Sequence, residues 1–305
     1  MYPAHLGPEF YQVYKDEIVD VRMAEKAKGK LGDKAIVDGF KEAANATFGN
    51  SNNEHSWLND PSYTMQTTVN SQLLITMLVE AISLDLTDFQ ILQTNTDGCT
   101  IRLLKSEQDK YYAACEQWGK LTKLKLEFAQ GETMVIWDVN SYLLIYPDKK
   151  PKMKGRMQFE DLDLHKNKSF LVIPKAIYEF FTNGIFPEEY LKTNRNIFDY
   201  CGGSRVNKDW GFVGTCMVQG KVIETPLQKV IRYYISNNGC KITKVNKNDG
   251  RKINIVAGPW LQNEYNEHFE TEWENYDINY NFYLQQINKE IETIIKKKSN
   301  QLTLF

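Results

Sequence analysis

The sequence is short of histidine, of paired cysteine and of charge of one sign. Four histidines in 305 residues are too few to suggest an imidazole-ligated metal centre. The cysteines, Cys99, Cys115, Cys201, Cys216 and Cys240, are odd in number and scattered. None forms a C-x-x-C pair, which argues against a zinc site or a disulfide scaffold and fits a reducing cytoplasm. Lys and Arg number 37 against 39 Asp and Glu, for a net charge of −2. There is thus no overall basic signature, and any nucleic-acid-binding signal must be local. No apolar run approaches the roughly 18 residues that span a bilayer, so a membrane partner is not expected. Residues 1–10 have neither a basic flank nor an apolar stretch, so they do not read as a secretory signal. No internal repeat is visible, and the only biased segment is the terminal Lys296-Lys297-Lys298.

What is present suffices for a core. Hydrophobic residues make up 42% of the chain and aromatics 12%, enough for two or three subdomains. Periodicity predicts a helix over 8–28 and a second over 33–48, ended by Gly49-Asn50-Ser51-Asn52-Asn53. Residues 54–68 read as irregular or short strand. Over 69–84, Leu73, Leu74, Met77, Leu78, Ala81 and Ile82 make one apolar stripe, which predicts a strongly amphipathic helix. Short strands at 89–94 and 99–104 flank the turn Asn95-Thr96-Asp97-Gly98, a hairpin of the kind short Asn/Asp/Gly loops specify. A helix over 106–118 and strands near 121–128 and 133–145 follow. Beyond Pro147 come a basic segment, a helix over 170–185, a loop-rich stretch over 198–225, lysines among short apolar runs over 234–258, and a final helix over 276–298.

Several residues are placed to carry chemistry, each with an ordinary alternative. Asp97 sits at a turn tip between apolar strands, where a rigid, solvent-reaching carboxylate suits a hard cation such as Mg²⁺. Asn-Thr-Asp-Gly is equally good turn chemistry with no function. Lys41, Asn45 and Phe48 lie at i, i+4 and i+7 and share one helix face, closed by Gly49. Such a face could hold a nucleotide; otherwise it is a solvated lysine beside a core phenylalanine. Arg22 and Lys26, at i and i+4, repel by a few tenths of a kcal/mol unless an anion sits between them, a hint of phosphate or simply a solvated face. Five cations, Lys149, Lys150, Lys152, Lys154 and Arg156, fall within eight residues around Gly155 and could grip a nucleic-acid backbone, or line an exposed loop.

Taken together these features resemble B-family DNA polymerases, most closely those of bacteriophages. Lys41-Glu42-Ala43-Ala44-Asn45-Ala46-Thr47-Phe48-Gly49 is similar to the fingers-helix pattern K-x-x-x-N-S-x-Y-G, with Ala for Ser and Phe for Tyr. About fifty residues later Asn95-Thr96-Asp97-Gly98 stands where the family has its metal-binding D-T-D-S turn. Arg22-x-x-x-Lys26 resembles a cationic pair facing the incoming triphosphate, and Lys152-Met153-Lys154-Gly155 a basic element on the primer–template. The resemblance implies that Arg22, Lys26 and Lys41 hold the triphosphate of a dNTP and that Asn45, Phe48 and Gly49 line the nascent base pair. It implies that Asp97, flanked by Asn95, Thr96 and Gly98, is catalytic and binds Mg²⁺ in a two-metal site, and that Lys152, Lys154 and Arg156 bind DNA. Two departures stand out. Asn95 replaces the first aspartate of the turn. The family's other carboxylate lies in a D-x-x-S-L-Y-P strand, of which only Met1-Tyr2-Pro3 resembles the end; Tyr2 would then be the residue that excludes ribose. The expectation is an upstream chain or segment that supplies the second aspartate and the exonuclease domain.

At the other end, Gln301-Leu302-Thr303-Leu304-Phe305 resembles the peptide that bacterial polymerases insert into the β sliding clamp. Leu302, Leu304 and Phe305 would be apolar anchors and Gln301 would fix register. Such a match arises by chance about once in 10⁵ positions; the alternative is a tail folded back on the core. The expected fold is α+β, a partial polymerase right hand: fingers helices over 1–53, an antiparallel palm over 54–156, a mainly helical thumb over 157–295 and a flexible tail over 296–305. The implied function is template-directed DNA synthesis in a bacterial host cytoplasm. Two alternatives remain: a non-catalytic DNA- and clamp-binding accessory or inactive polymerase fragment, and a generic nucleotide-binding protein.

Overall fold

The computed structural model describes residues 3–95, 97–148, 150–159, 169–265 and 272–301, with side chains through 296. The fold is mixed α+β with several small antiparallel sheets. It divides into two compact units, Met1–Phe128 and Ala129–Phe305. The expected palm, 54–156, is therefore shared between both units.

The first unit opens with a helical run: α1 (Gly7–Val13), a π-helical stretch (Tyr14–Asp20) and α2 (Val21–Ala27). Helix α3 (Lys34–Asn50) follows, its N-terminus capped by Asp33, whose Oδ1 accepts the Ala35 amide at 2.8 Å. None of these helices carries a buried side chain. Helix α4 (Pro61–Asp85) starts earlier than the sequence reading expects, because Asp60 caps it and Pro61 occupies its first turn. The polar run at its start fits a helix because its hydroxyls bond back one turn. Thr64 donates to the Asp60 carbonyl at 3.2 Å, Thr68 to Thr64 at 2.9 Å and Ser71 to Thr67 at 2.8 Å.

The expected single apolar stripe of α4 is not found. Leu78 and Ile82 are buried, whereas Leu73 and Met77 are exposed together with Met65 and Val69. With apolar residues on several faces, α4 is long and apolar enough by length and composition to cross a bilayer, an 18-residue window of it having a mean hydropathy of 1.2. A search for unbroken apolar runs misses this, because uncharged Thr, Ser, Gln and Asn interrupt the runs without adding charge. Strands β1 (Phe89–Thr94) and β2 (Cys99–Leu103) form the expected hairpin, with Thr94 opposite Cys99 and a bulge between Ile91 and Gln93. The hairpin packs on α4 and α5 (Gln108–Thr122) through Leu78, Ile82, Leu86, Ala114, Cys115 and Trp118. The expected strand near 121–128 is absent: Lys123, at φ 60°, ends α5 in the left-handed conformation.

The second unit begins with a three-stranded sheet, β3 (Thr133–Asp138), β4 (Ser141–Ile145) and β5 (Lys152–Met153), in that order. Helices α6 (Val172–Asn183), α7 (Pro187–Thr193) and α8 (Ile197–Tyr200) follow. Strands β6 (Gly202–Arg205), β7 (Trp210–Val218), β8 (Lys221–Leu227), β9 (Val230–Ser236), β10 (Lys241–Asn246), β11 (Lys252–Asn254) and β12 (Leu261–Glu264) form two antiparallel sheets, ordered β12-β9-β6 and β11-β10-β7-β8. Helix α9 (Tyr280–Gln301) closes the chain.

The segment expected to be a mainly helical thumb is thus rich in strands. Its glycines read as loop punctuation, yet Trp210, Phe212 and Val213 lie among them, residues that favour strands. Helix α9 continues to Gln301, through the stretch expected as a spacer. Its lysines are good helix formers, and Lys296 pairs with Glu292 one turn back at 3.2 Å.

The core of the second unit is aromatic. Tyr283, fully buried, donates its hydroxyl to the Tyr200 carbonyl at 2.7 Å and accepts the Ile235 amide at 2.9 Å. Burial raises the Tyr283 phenol well above its ordinary pKa. The segment Tyr276–Tyr280 serves this core: Asp277 accepts hydrogen bonds from Asn237 and Asn238 at 2.7 to 3.0 Å and so fixes the turn after β9.

Cys216 and Cys240 form a disulfide, contrary to the expectation from cysteine spacing. They are 24 residues apart in sequence. The β7–β10 register, with Thr215 opposite Lys241, makes them cross-strand neighbours. No linear motif encodes that pairing. Cys99, Cys115 and Cys201 are free.

Candidate nucleotide and metal site

Asp97 lies in the connection between β1 and β2. The Asn95 amide donates to the Gly98 carbonyl at 2.7 Å and closes the connection, and Asp97 itself is exposed. One face of this hairpin rests on the α4–α5 core, so the turn is carried at the end of an anchored ribbon. Thr96, between Asn95 and Asp97, lies outside the described residues.

Lys41, Asn45, Phe48 and Gly49 are all exposed on α3. Helical spacing puts the first three on one face, and the Phe48 ring meets Tyr63 of α4 edge-on at 6.4 Å. Phe48 is therefore half-open, not a core residue, and 39% of it remains accessible. Gly49 has open space where a Cβ would sit, so the fold does not require a glycine there.

Lys26 has an anionic partner, and it belongs to the chain. Lys26 Nζ lies 2.5 Å from Glu127 Oε1. The hydrogen bond and charge of Lys26, with a smaller contribution from Arg22, hold the Glu127 carboxyl below its ordinary pKa. Arg22 Nε also donates to the Val37 carbonyl at 3.3 Å, which ties α2 to α3. In this arrangement a triphosphate would have to compete with Glu127 for Lys26.

In the second unit, Lys152, Lys154 and Arg156 are exposed, but their segment is anchored. Lys152 belongs to β5, the Lys154 amide donates to the Tyr142 carbonyl at 2.9 Å, and Met157 is fully buried just beyond. Gly155, at φ +60°, is required by the fold, because a Cβ would collide with Ser141 Oγ and the Asn140 carbonyl. Arg156 lies 5.5 Å over the Trp137 ring and 3.9 Å from Glu290. The segment is an anchored sheet edge that presents cations outward.

The structure thus places Lys41, Asn45 and Phe48 together and ties Arg22 to their helix. It shows no hydrogen bond or ion pair joining Asp97 to them among the described residues. Tyr2, Leu302, Leu304 and Phe305, and the side chain of Gln301, lie outside the described residues. No cluster of three or more His, Cys, Asp or Glu side chains fit to hold a metal ion occurs among the described residues. A single exposed carboxylate at Asp97 fits a Mg²⁺ ion held largely by substrate phosphates. It does not by itself complete a two-metal site. Glu127 is the charged neighbour that sequence reasoning missed, because it lies 101 residues from Lys26. No protein-family model matches the chain, and no curated protein matches it.

Proposed function

We propose that this chain is the polymerising part of a B-family, bacteriophage-type DNA polymerase, which adds dNTPs to a primer 3′-hydroxyl under template direction. One observation carries this reading. A helix exposes Lys41, Asn45 and Phe48 on one face, and a β-hairpin downstream exposes Asp97 at an Asn-Thr-Asp-Gly connection. In this reading Lys41 neutralises the triphosphate, with Arg22 and Lys26 joining once Glu127 is displaced. Asn45 and Phe48 bear on the base and sugar, and Gly49 lets the backbone approach. Asp97 holds Mg²⁺, which supplies charge neutralisation at the phosphates; an upstream strand, with Tyr2 at its end, brings the second carboxylate. Lys152, Lys154 and Arg156 position the primer–template, and Gln301 to Phe305 tether the enzyme to a β sliding clamp in the host cytoplasm.

Two measurements test the reading. Lys41→Ala should weaken binding of a fluorescent dATP in Mg²⁺ by about 10- to 100-fold, the worth of one charge-assisted hydrogen bond; unchanged affinity would contradict it. Deletion of 301–305 should abolish capture by an immobilised clamp while leaving DNA binding intact; retained capture would refute the tail assignment. A second reading, a DNA- and clamp-binding accessory without catalysis, is favoured by the lack, among the described residues, of a cluster of three or more His, Cys, Asp or Glu side chains around Asp97. It predicts DNA binding without nucleotide incorporation, even when the upstream segment is supplied.

A further inference from the structure

Residues 202–254 carry ten Lys and Arg against three acids, a surplus of seven in a chain whose net charge is −2. The strand register gathers part of this surplus at one end of the β7–β10 ladder. Trp210 stands opposite Asn246, the Lys247 amide donates to the Asp209 carbonyl at 2.9 Å, and the Asn246 amide donates to the Arg251 carbonyl at 2.9 Å. This brings Lys208 of the β6–β7 connection to the same edge as Lys247 and Arg251 of the β10–β11 connection, and all three are exposed.

Local interactions hold the cations in place. Lys247 Nζ donates to the Lys208 carbonyl at 3.1 Å. The Arg251 guanidinium lies 5.2 Å over the Trp210 ring, and the Lys244 ammonium 5.9 Å over Phe212. Of the nearby acids, Asp249 uses one carboxylate oxygen to accept the Arg251 amide at 2.9 Å, and Glu224 is paired with Lys252 at 2.8 Å. Lys208, Lys244, Lys247 and Arg251 form no ion pair among the described residues. Like charges gathered on one sheet end repel, and a polyanion lying across them relieves that repulsion. Stacking on Trp210 presents the guanidinium with its donors at the edge, a geometry that matches phosphate oxygens.

We infer that this sheet end, centred on Lys208, Lys247 and Arg251 with Trp210 beneath, is a second docking surface for the phosphodiester backbone of a nucleic acid, separate from the Lys152–Arg156 edge. The inference rests on the polymerase reading only for the choice of DNA as the probe.

The test is fluorescence anisotropy of a labelled primer–template duplex titrated with the full chain at several salt concentrations. The triple variant K208Q/K247Q/R251Q should bind at least tenfold more weakly. Its slope of log affinity against log salt should be shallower by about 2 to 3, close to one for each phosphate that is no longer neutralised. Its affinity for dATP should be unchanged. Arg251→Lys, which keeps the charge and leaves the strands intact, should weaken binding only a few-fold and serves as the informative variant if the triple substitution impairs folding. An unaltered slope in the triple variant, or in Lys247→Gln and Arg251→Gln taken singly, would overturn the inference. So would binding of wild-type chain to anionic phosphatidylserine vesicles, abolished in the triple variant, without binding to DNA. The two readings fail separately: loss of DNA affinity in the triple variant together with indifference to Asp97→Ala sinks the polymerase reading alone.

Discussion

Gly155 and Gly49 illustrate two reasons for a glycine at a candidate site. At Gly155 the backbone is left-handed and a side chain would strike the β3–β4 turn, so its presence in a basic motif needs no ligand to explain it. At Gly49 nothing lies within 4 Å of a notional Cβ. Gly49→Ala should therefore stabilise the fold slightly, by up to about 1 kcal/mol for a helical glycine. If α3 receives a nucleotide, the same change should raise the KM for dNTP. A thermal melt and a nucleotide titration on one variant separate these effects; a lower Tm with unchanged KM would remove Gly49 from the site. Tyr283 offers a contrasting residue, where fold alone dictates identity. Tyr283→Phe leaves the buried Ile235 amide and Tyr200 carbonyl short of a partner, which should cost about 1–3 kcal/mol in urea unfolding. A change below about 0.5 kcal/mol would show that both groups find other partners.

At the level of elements, periodicity served the helices and the β1–β2 hairpin, where pattern and turn chemistry agree. It failed where the deciding interaction was not local. The early start of α4 depends on hydroxyl-to-carbonyl bonds that a polar sequence does not advertise. The strands of the second unit were concealed by their glycines, and the Cys216–Cys240 bond depends on register rather than spacing. That bond closes a loop of 24 residues, for which chain entropy suggests about 3 kcal/mol of stabilisation. Cys216→Ser/Cys240→Ser should accordingly unfold at lower urea concentration than the oxidised wild type, and dithiothreitol should bring the wild type to the variant's midpoint. Equal midpoints under oxidising conditions would contradict the crosslink. The ion pair of Lys175 with the buried Asp199, at 2.7 Å, supports α6 against α8 in the same unit. Lys175→Met leaves that carboxylate with the Asn194 amide at 3.0 Å and should cost roughly 1–3 kcal/mol in urea unfolding; no loss would show the pair to be dispensable.

Across the whole chain, the order of the candidate residues could be read from sequence, because helical spacing and a turn motif are local. Their environment could not. Glu127 answers Lys26 from 101 residues away, the Lys152–Arg156 cations run from the edge strand β5 into a short 3-10 turn, and the surplus of positive charge over 202–254 lies partly in strands that read as loop, over 202–225. The near-neutral total conceals that surplus, since acids elsewhere offset it. The central claim concerns chemistry at Asp97, and primer extension tests it most directly. A 5′-labelled primer–template is incubated with dNTPs, Mg²⁺ and the chain, supplied with the carboxylate-bearing segment that the polymerase reading requires, as wild type and as Asp97→Ala. Wild type should extend the primer, and the variant should be slower by at least about 10³-fold, since removing a metal ligand costs several kcal/mol of transition-state stabilisation. Extension by Asp97→Ala at the wild-type rate would contradict the account.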